Sequence, residues 1–372
     1  MPVYNMEFVF WQNVLSIHQS SFLRNLSLSY KVVLVVEKKM SDRRLKEGWD
    51  VPDMGDTQII IAPSLIEVTE IVNSHREAIH VFSGIHAYPL VNKAFHLIHD
   101  LRLKTLVLAE PYDFLGFKGF LRRYRKKIQF LKYGRGIHGL LHTGELGKYW
   151  FEKAGFPKEK LFHWGYFTEE PVLFNDGNLK YGVKNKASIL FVGTINKNKN
   201  ILGLVSIVKK YLDLFDNFTI IGVGPLENEL KNAIQDNKNI KYIGKLPNSQ
   251  VQVLMQDFDM LILPSFYDGW GAVVNEALQN GMRVICSEHC GASSLLDNKN
   301  RGEVFYFRKG DNLDTVLKKW LIKGPLTFEK REEIIEWSKH SISGIVITEY
   351  FIQICKYIFE NEGVRPVAPW LT

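Results

Sequence analysis

The stretch from Asp259 to Leu296 limits what this chain can fold into more than any other. Met260 to Leu263 is a short apolar run stopped by Pro264 and Ser265, which predicts a strand and its end. Gly269 and Gly271 flank Trp270, and glycines at such a turn admit positive φ and close approach to a ligand. Ala272 to Gln279 predicts a helix, closed by Asn280-Gly281, and Arg283 to Ser287 predicts the next strand. Strand, glycine turn, helix, strand is the repeating unit of a parallel sheet, and the start of such a helix presents N–H groups to an anion. Asp268 lies in the turn and Glu276 more than one turn into the helix, so a tight turn points both carboxylates into one crevice.

The same alternation runs along the rest of the chain. Strands are predicted at 6–11, 32–36, 58–62, 79–83, 105–109, 138–143 and 162–166, then at 188–192, 219–223, 240–244 and 303–307. Helices are predicted from a Ser20-Ser21 cap to Leu28, at 91–101, 144–154, 226–234 and 251–256, and from Thr327 onward. The polar segment 168–186, with Pro171, Gly177 and Gly182, reads as a linker, and 372 residues suit two α/β domains. Parallel sheets bind ligands beyond the carboxyl ends of their strands, where His18, His86 and Glu110 fall.

Hydrophobic content of 46% and charged content of 23% are globular values. No apolar run reads as membrane-spanning, and the first residues lack a signal-peptide pattern. Cys286, Cys290 and Cys355, an odd and sparse set, argue for reduced thiols in a cytoplasmic protein. Cys286 and Cys290 flank His289 without a second ligand pair, so they read as a strand thiol and a loop thiol. Asp257-Phe258-Asp259 ends a helix and enters a strand, on the wrong side of the sheet for a donor metal, and reads as structural. The formal net charge of +7 favours anionic partners, and no nucleic-acid-binding signature is present. Residues 117–135 carry Lys118, Arg122, Arg123, Arg125, Lys126, Lys127, Lys132 and Arg135 and no acid, with Phe117, Phe120, Leu121, Tyr124, Ile128 and Leu131 at helical spacing. This basic amphipathic helix either lies on an anionic membrane or packs its apolar face within a domain.

With its acid, seven residues, and second acid, the 259–296 stretch resembles the donor signature of the retaining glycosyltransferases of the GT-B fold, family 4. That family has Glu first and a Gly-Phe-Gly-like turn; here Asp268 and Trp270 stand in those places. Residues 193–200 resemble its second donor motif, with Lys199 on the lysine that meets the diphosphate and Thr194 where arginine is usual. Lys197 is a candidate for the missing charge, and Lys245-Leu246-Pro247 resembles the base-reading loop.

The resemblance implies an α/β, GT-B fold with two Rossmann-like domains facing across a cleft. Residues 1–170 would bind the acceptor, completed by a helix at about 343–372, and 171–342 the nucleotide sugar. Glu276 would hold ribose hydroxyls and Asp268 the transferred sugar. Gly193, Thr194, Lys197, Gly269 and the backbone N–H groups of Trp270, Gly271 and Ala272 would line the donor. Lys199 would neutralise the leaving diphosphate, so that neither metal nor cofactor is required. His86 and Glu110 are both candidates for the family's histidine near a middle strand, and the loop 12–19 lacks the family's Gly-Gly. The implied activity is retaining, metal-independent hexosyl transfer from a UDP- or GDP-sugar to a glycan or lipid-linked acceptor in cell-surface polysaccharide or lipopolysaccharide biosynthesis. The implied location is cytoplasmic, peripheral on the inner face of the membrane. A non-catalytic nucleotide-sugar-binding or scaffold protein on the same fold is the alternative.

Overall fold

The computed structural model describes residues 6–40, 51–86, 88–111, 116–172, 185–297, 299–308, 310 and 312–372, without the side chains of 116 and 118. Most of the predicted linker, at 173–184, and the Lys118 side chain therefore lie outside the described residues. The chain divides into two compact units, one running to Glu169 and resuming at Ser341–Thr372, the other spanning Glu170–His340.

In the first unit the elements follow as β1 (Glu7–Val14), α1 (Ser20–Ser27), β2 (Lys31–Lys38), β3 (Gln58–Ile61), α2 (Leu65–Ser74), β4 (Ile79–Ser83), α3 (Pro89–Asp100), β5 (Thr105–Ala109), α4 (Gly116–Tyr133), β6 (Gly139–Thr143), α5 (Gly144–Lys153) and β7 (Leu161–Trp164). The strands lie in the order β3-β2-β1-β4-β5-β6-β7, and every pairing is parallel. Phe8, Val9, Phe10 and Trp11 of β1 are all buried, as a parallel strand covered on both faces requires.

The second unit comprises β8 (Ala187–Val192), α6 (Ile201–Val208), β9 (Phe215–Ile221), α7 (Glu227–Ile234), β10 (Ile240–Gly244), α8 (Asn248–Met255), β11 (Met260–Leu263), α9 (Val273–Gln279), β12 (Arg283–Ser287), β13 (Gly302–Phe305), α10 (Leu313–Lys323) and α11 (Phe328–Ser341). Its sheet, also parallel, runs β10-β9-β8-β11-β12-β13. Asp259, at the amino end of β11, accepts hydrogen bonds from the backbone N–H and hydroxyl of Ser188 (2.8 and 2.7 Å) and from Leu326 N (3.0 Å). Its carboxylate ties β8, β11 and the α10–α11 connection at the end of the sheet opposite the glycine turn.

α12 (Gly344–Phe359) belongs to the first unit. Phe351 packs against Phe8, Phe10, Phe22 and Trp164, and Thr348 Oγ1 donates to Phe22 O at 3.3 Å. A Cβ on Gly344 would lie 2.2 Å from Ser21 Oγ, so only glycine lets α12 approach α1 this closely.

Several local expectations change. β1 runs on to Val14, shortening the loop that follows it. Ser20 and Ser21 do not cap α1: Gln19 holds the cap position, and Ser20 Oγ donates to Ile17 O at 3.0 Å. α2 and α10 were not expected, although Ser64 and Glu67 form a full capping box for α2. Phe328–Phe359 is long and apolar enough to span a membrane, against the sequence reading. It is two helices, however, with 56% of its apolar window buried, which is how a core element behaves.

The first core also buries two imidazoles in neutral form. Trp11 Nε1 donates to His80 Nδ1 at 3.2 Å, and His80 Nε2 donates to His75 O at 3.1 Å. His142 Nδ1 donates to Gly144 O at 3.1 Å. Burial, ahead of any charge, lowers these groups to about 4 and about 3. Below the ordinary value of 6.5 the unfolded chain takes up protons that the folded chain refuses, so stability falls as pH drops from 6.5 toward those lower values. The loss should reach about 1.4 kcal/mol per pH unit for each imidazole. Urea unfolding between pH 7 and pH 5 should show this slope, reduced in the His80→Gln/His142→Gln variant. Equal slopes in the two proteins would refute it.

Candidate functional site

In the second unit the chain leaves β8 toward β9 on one side, while β11 and β12 continue on the other. The crevice at the carboxyl ends of β8 and β11 is thus a topological switch point, where open α/β sheets take their ligands. Two loops build it, 193–200 after β8 and 264–272 after β11. Asn198 joins them: its Nδ2 donates to Tyr267 O at 2.8 Å, and its carbonyl accepts from Phe266 N at 2.8 Å.

Across this clip Lys199 Nζ pairs with Asp268 Oδ2. The lysine stem passes Gly193, and its backbone N–H donates to Asn196 Oδ1 at 2.9 Å. Asp268 is fixed through its backbone as well, donating to His289 O (3.0 Å) and accepting from Gly291 N (3.1 Å). Gly271 adopts φ +90°, whereas Gly269 is not among the positive-φ residues, so the backbone freedom the turn needs falls on one glycine. A Cβ at 271 would also meet Cys290 Sγ at 2.8 Å. The Trp270 indole is buried, its Nε1 donating to Asn275 Oδ1 at 2.7 Å, so the ring anchors the turn from inside the domain. Ala272 immediately precedes α9, whose N–H at Val274 already bonds to Gly271 O.

Glu276 is buried on α9 and accepts from Asn248 Nδ2 at 3.0 Å. Asn248 opens α8 directly after Lys245, Leu246 and Pro247, so the base-loop candidates are tethered to this acid. The two acids have different partners: Asp268 a cation, Glu276 an amide. Burial pushes the Glu276 carboxyl up to about 7, against the lowering effect of the Asn248 bond. Thr194 is half-buried and Lys197 exposed on the 193–200 loop, and Lys245 is exposed directly after β10. Cys286 is buried on β12 and Cys290 in the following loop, its Sγ donating to Trp270 O at 2.9 Å. Among the described residues no cluster of His, Cys, Asp or Glu has metal-holding geometry.

The candidates of the first unit fall in two places. Glu110, beyond β5, accepts from the hydroxyl of Tyr166, and Tyr166 stacks on His18 with ring centroids 5.6 Å apart. His86, beyond β4, lies apart from them; its Nδ1 is 2.6 Å from Asn92 Nδ2 and its ring meets Tyr133 at 5.6 Å. Asn198, Asn248 and Tyr166 were missed by sequence reasoning. No periodicity links them to their partners, and only Asn248 carried a hint, its place directly after the base-loop motif.

Residues 180–341 match the family model of glycosyl transferases group 1. The amylovoran biosynthesis glycosyltransferase AmsK of Erwinia amylovora is 28% identical over 175 residues, 44% of this chain and 42% of that protein. The chain spans less than half the length of the curated relatives it matches. Anabaena Alr3699/HepE, solved with UDP and glucose, superposes with a TM-score of 0.65 at 14% identity, covering 95% of this chain and 100% of that one. WaaG, a glycosyltransferase involved in lipopolysaccharide biosynthesis, gives a TM-score of 0.58 at 15% identity, covering 95% and 99%. The fold is GT-B, built from two parallel-sheet α/β domains, and the second contains the stretch that matches the glycosyl transferases group 1 model.

The raised Glu276 pKa carries a stability consequence. Between the ordinary 4.5 and about 7 the folded chain keeps a proton that the unfolded chain has lost, so stability declines as pH rises through that window. Glu276→Gln removes the ionisable group but keeps an acceptor for Asn248. The variant should be more stable than wild type at pH 8, on the order of 3 kcal/mol, and equal to it below pH 4.5. Chemical unfolding of both proteins at the two pH values measures this; a difference that does not change with pH would contradict the buried-acid account.

Proposed function

We propose that the chain is a retaining, metal-independent hexosyltransferase that takes a UDP- or GDP-sugar as donor and a glycan or lipid-linked acceptor, in cell-surface polysaccharide or lipopolysaccharide biosynthesis. The observation that carries this reading is the Lys199–Asp268 pair clipped at the switch point of a glycosyl transferases group 1 domain. A lysine held by an internal carboxylate is a placed cation that an incoming diphosphate can take over. Asp268 is then left to accept hydroxyls of the transferred sugar. Glu276, ionised as pH rises past about 7, accepts from the ribose. HepE crystallised with UDP and with UDP-glucose supports the donor class, and AmsK and WaaG support the biosynthetic setting.

As the diphosphate leaves, negative charge grows beside Lys199, so this contact strengthens in the transition state. Lys199→Ala should lower kcat on the order of a hundredfold, as loss of one oxyanion donor does. Glu276→Gln should weaken donor binding roughly ten- to hundredfold with a smaller effect on kcat, through loss of about 1.5–3 kcal/mol of charge-assisted acceptance. Lys197→Ala should match Lys199→Ala if Lys197 supplies the charge absent at Thr194. Turnover should survive EDTA. Calorimetry with UDP- and GDP-sugars and steady-state transfer measure these effects. Wild-type binding and turnover in both main variants would move the donor site elsewhere, and donor binding without transfer or hydrolysis would favour the non-catalytic alternative.

We also propose that the protein works on the inner face of the cell membrane through α4. Phe117, Phe120, Tyr124 and Leu131 are 75%, 57%, 63% and 72% exposed, so the apolar face of the helix is turned to solvent instead of being packed within the domain. Exposed aromatic and aliphatic side chains interleaved with cations suit an anionic bilayer surface. Phe117→Ser/Leu131→Ser should release the protein from phosphatidylglycerol vesicles in flotation while leaving donor hydrolysis intact. Undiminished flotation would refute the assignment.

A further inference from the structure

At the amino ends of β6 and β7, opposite the end of the sheet that carries His86 and Glu110, three segments enclose a cavity of about 310 Å³. His138 directly precedes β6, Glu159 lies in the turn before β7, and Tyr357, Ile358, Asn361 and Gly363 come from the end of α12 and the turn after it. Gly139 lets α12 close on β6, since a Cβ there would lie 2.7 Å from Ile358 Cδ1. Asn361, at φ +54°, turns the chain out of α12, and Glu362 N bonds back to Lys356 O at 3.2 Å. The Asn361 backbone therefore serves the helix end, and its side-chain amide is left for the cavity. Thr105 N donates to His138 Nδ1 at 3.1 Å, so the proton of the neutral ring sits on Nε2 and makes that nitrogen a donor. Burial first, then Lys160, holds the His138 pKa below its ordinary value, which keeps the ring neutral. The Lys160 ammonium is itself occupied, donating to Gly134 O at 3.3 Å and to Ile137 O at 2.7 Å. Among the described residues, His138 Nε2, the Glu159 carboxylate, the Tyr357 hydroxyl and the Asn361 amide have no hydrogen-bond or ion-pair partner.

The lining thus offers a donor at His138, an acceptor at Glu159, both at Tyr357 and Asn361, and apolar surface on the Tyr357 ring and Ile358. A phosphate is the wrong guest, because the charge on the described lining is a carboxylate and the nearby ammonium is already bonded. A lone ammonium would leave the His138 donor unmet. An aliphatic guest would strip water from the polar groups and replace none of its bonds. A pyranose meets both requirements: its hydroxyls donate and accept at once, and its C–H face suits the negative face of an aromatic ring. We infer that this cavity binds one sugar unit of a glycan. Glu159, Asn361 and Gly363 are exposed, so the cavity opens to solvent and leaves room for the chain to continue beyond that unit. The sugar class follows from the lining; that the sugar belongs to the acceptor or product glycan rests on the glycosyltransferase reading. A glycan held at a second point stays at raised effective concentration between transfers.

Calorimetry with the methyl glycosides of glucose, galactose and N-acetylglucosamine should detect saturable binding of at least one of them. In Glu159→Gln/Asn361→Gly that binding should weaken roughly tenfold or more, because one charge-assisted and one neutral hydrogen bond are lost. Glycine adopts the positive φ of Asn361 and Glu159 is exposed, so this variant keeps its fold, and its Tm should match wild type. Tyr357→Phe, which removes only a hydroxyl, should weaken the same sugar by a smaller factor. Glu362→Gln makes the same charge change just outside the cavity, and Lys199→Ala alters the donor crevice; both should bind the sugar as wild type does. No saturation by any glycoside or free sugar, wild-type affinity in the cavity variant, or equal weakening in Lys199→Ala would overturn the proposal. A second arm repeats the titrations with the free sugars. Binding by glycoside and free sugar alike supports a unit within a chain, whereas binding by the free sugar alone overturns the glycan assignment and leaves a monosaccharide site. Donor hydrolysis by wild type, measured in parallel, separates the two readings. If it is absent while the cavity binds sugar, the glycosyltransferase reading fails and the sugar site stands. If it is present in a protein whose cavity binds no sugar, the sugar site fails alone.

Discussion

At the switch point of the second sheet, Asn198 holds two loops together with its side-chain amide and its carbonyl. The Lys199–Asp268 pair exists because of this clip, since the two residues are 69 positions apart in sequence and belong to different strand–helix units. The clip in turn needs a turn after β11 that doubles back within a few residues. Gly271 at positive φ and the buried Trp270 indole make that possible, one by conformational freedom and the other by packing. Asp259 ties β8 to β11 at the far end of the same strands. The Lys199 cation is thus held on a frame fixed at both ends.

The acids of the site have been placed in contrasting environments. Asp268 pairs with the Lys199 ammonium, while Glu276 is buried on α9 with a neutral amide for company. The same turn and helix thus carry one ion-paired and one amide-bonded carboxyl group. Burying Glu276 costs stability as pH rises from 4.5 toward about 7.

α4 joins two surfaces that composition alone cannot tell apart. Its apolar residues, which a core helix would hide, face solvent, and a subset of its cations closes over the end of β4 to form a cavity. Charge that is merely solvated would be spread around the helix. Here Arg123 stacks on Trp150 while its near neighbours converge elsewhere.

The sequence alone determined the alternation of strands and helices and the parallel sheets, because apolar runs, glycine turns and caps act over a few residues. Asp268, Glu276 and Lys199 were legible as candidates because the local motifs around them occupy unbroken stretches of chain. Gln19 in place of Ser20 at the start of α1 was not read, and neither were α2 and α10, although Ser64 with Glu67 and Asn312 give those helices local caps. Only the tertiary structure decided that Lys199 meets Asp268, that Asn248 meets Glu276, that Tyr166 joins Glu110 to His18, and that α4 leaves its apolar face outside. Each of those outcomes depends on which loops the sheet order brings side by side, and strand order is set by long-range burial that no window of sequence contains.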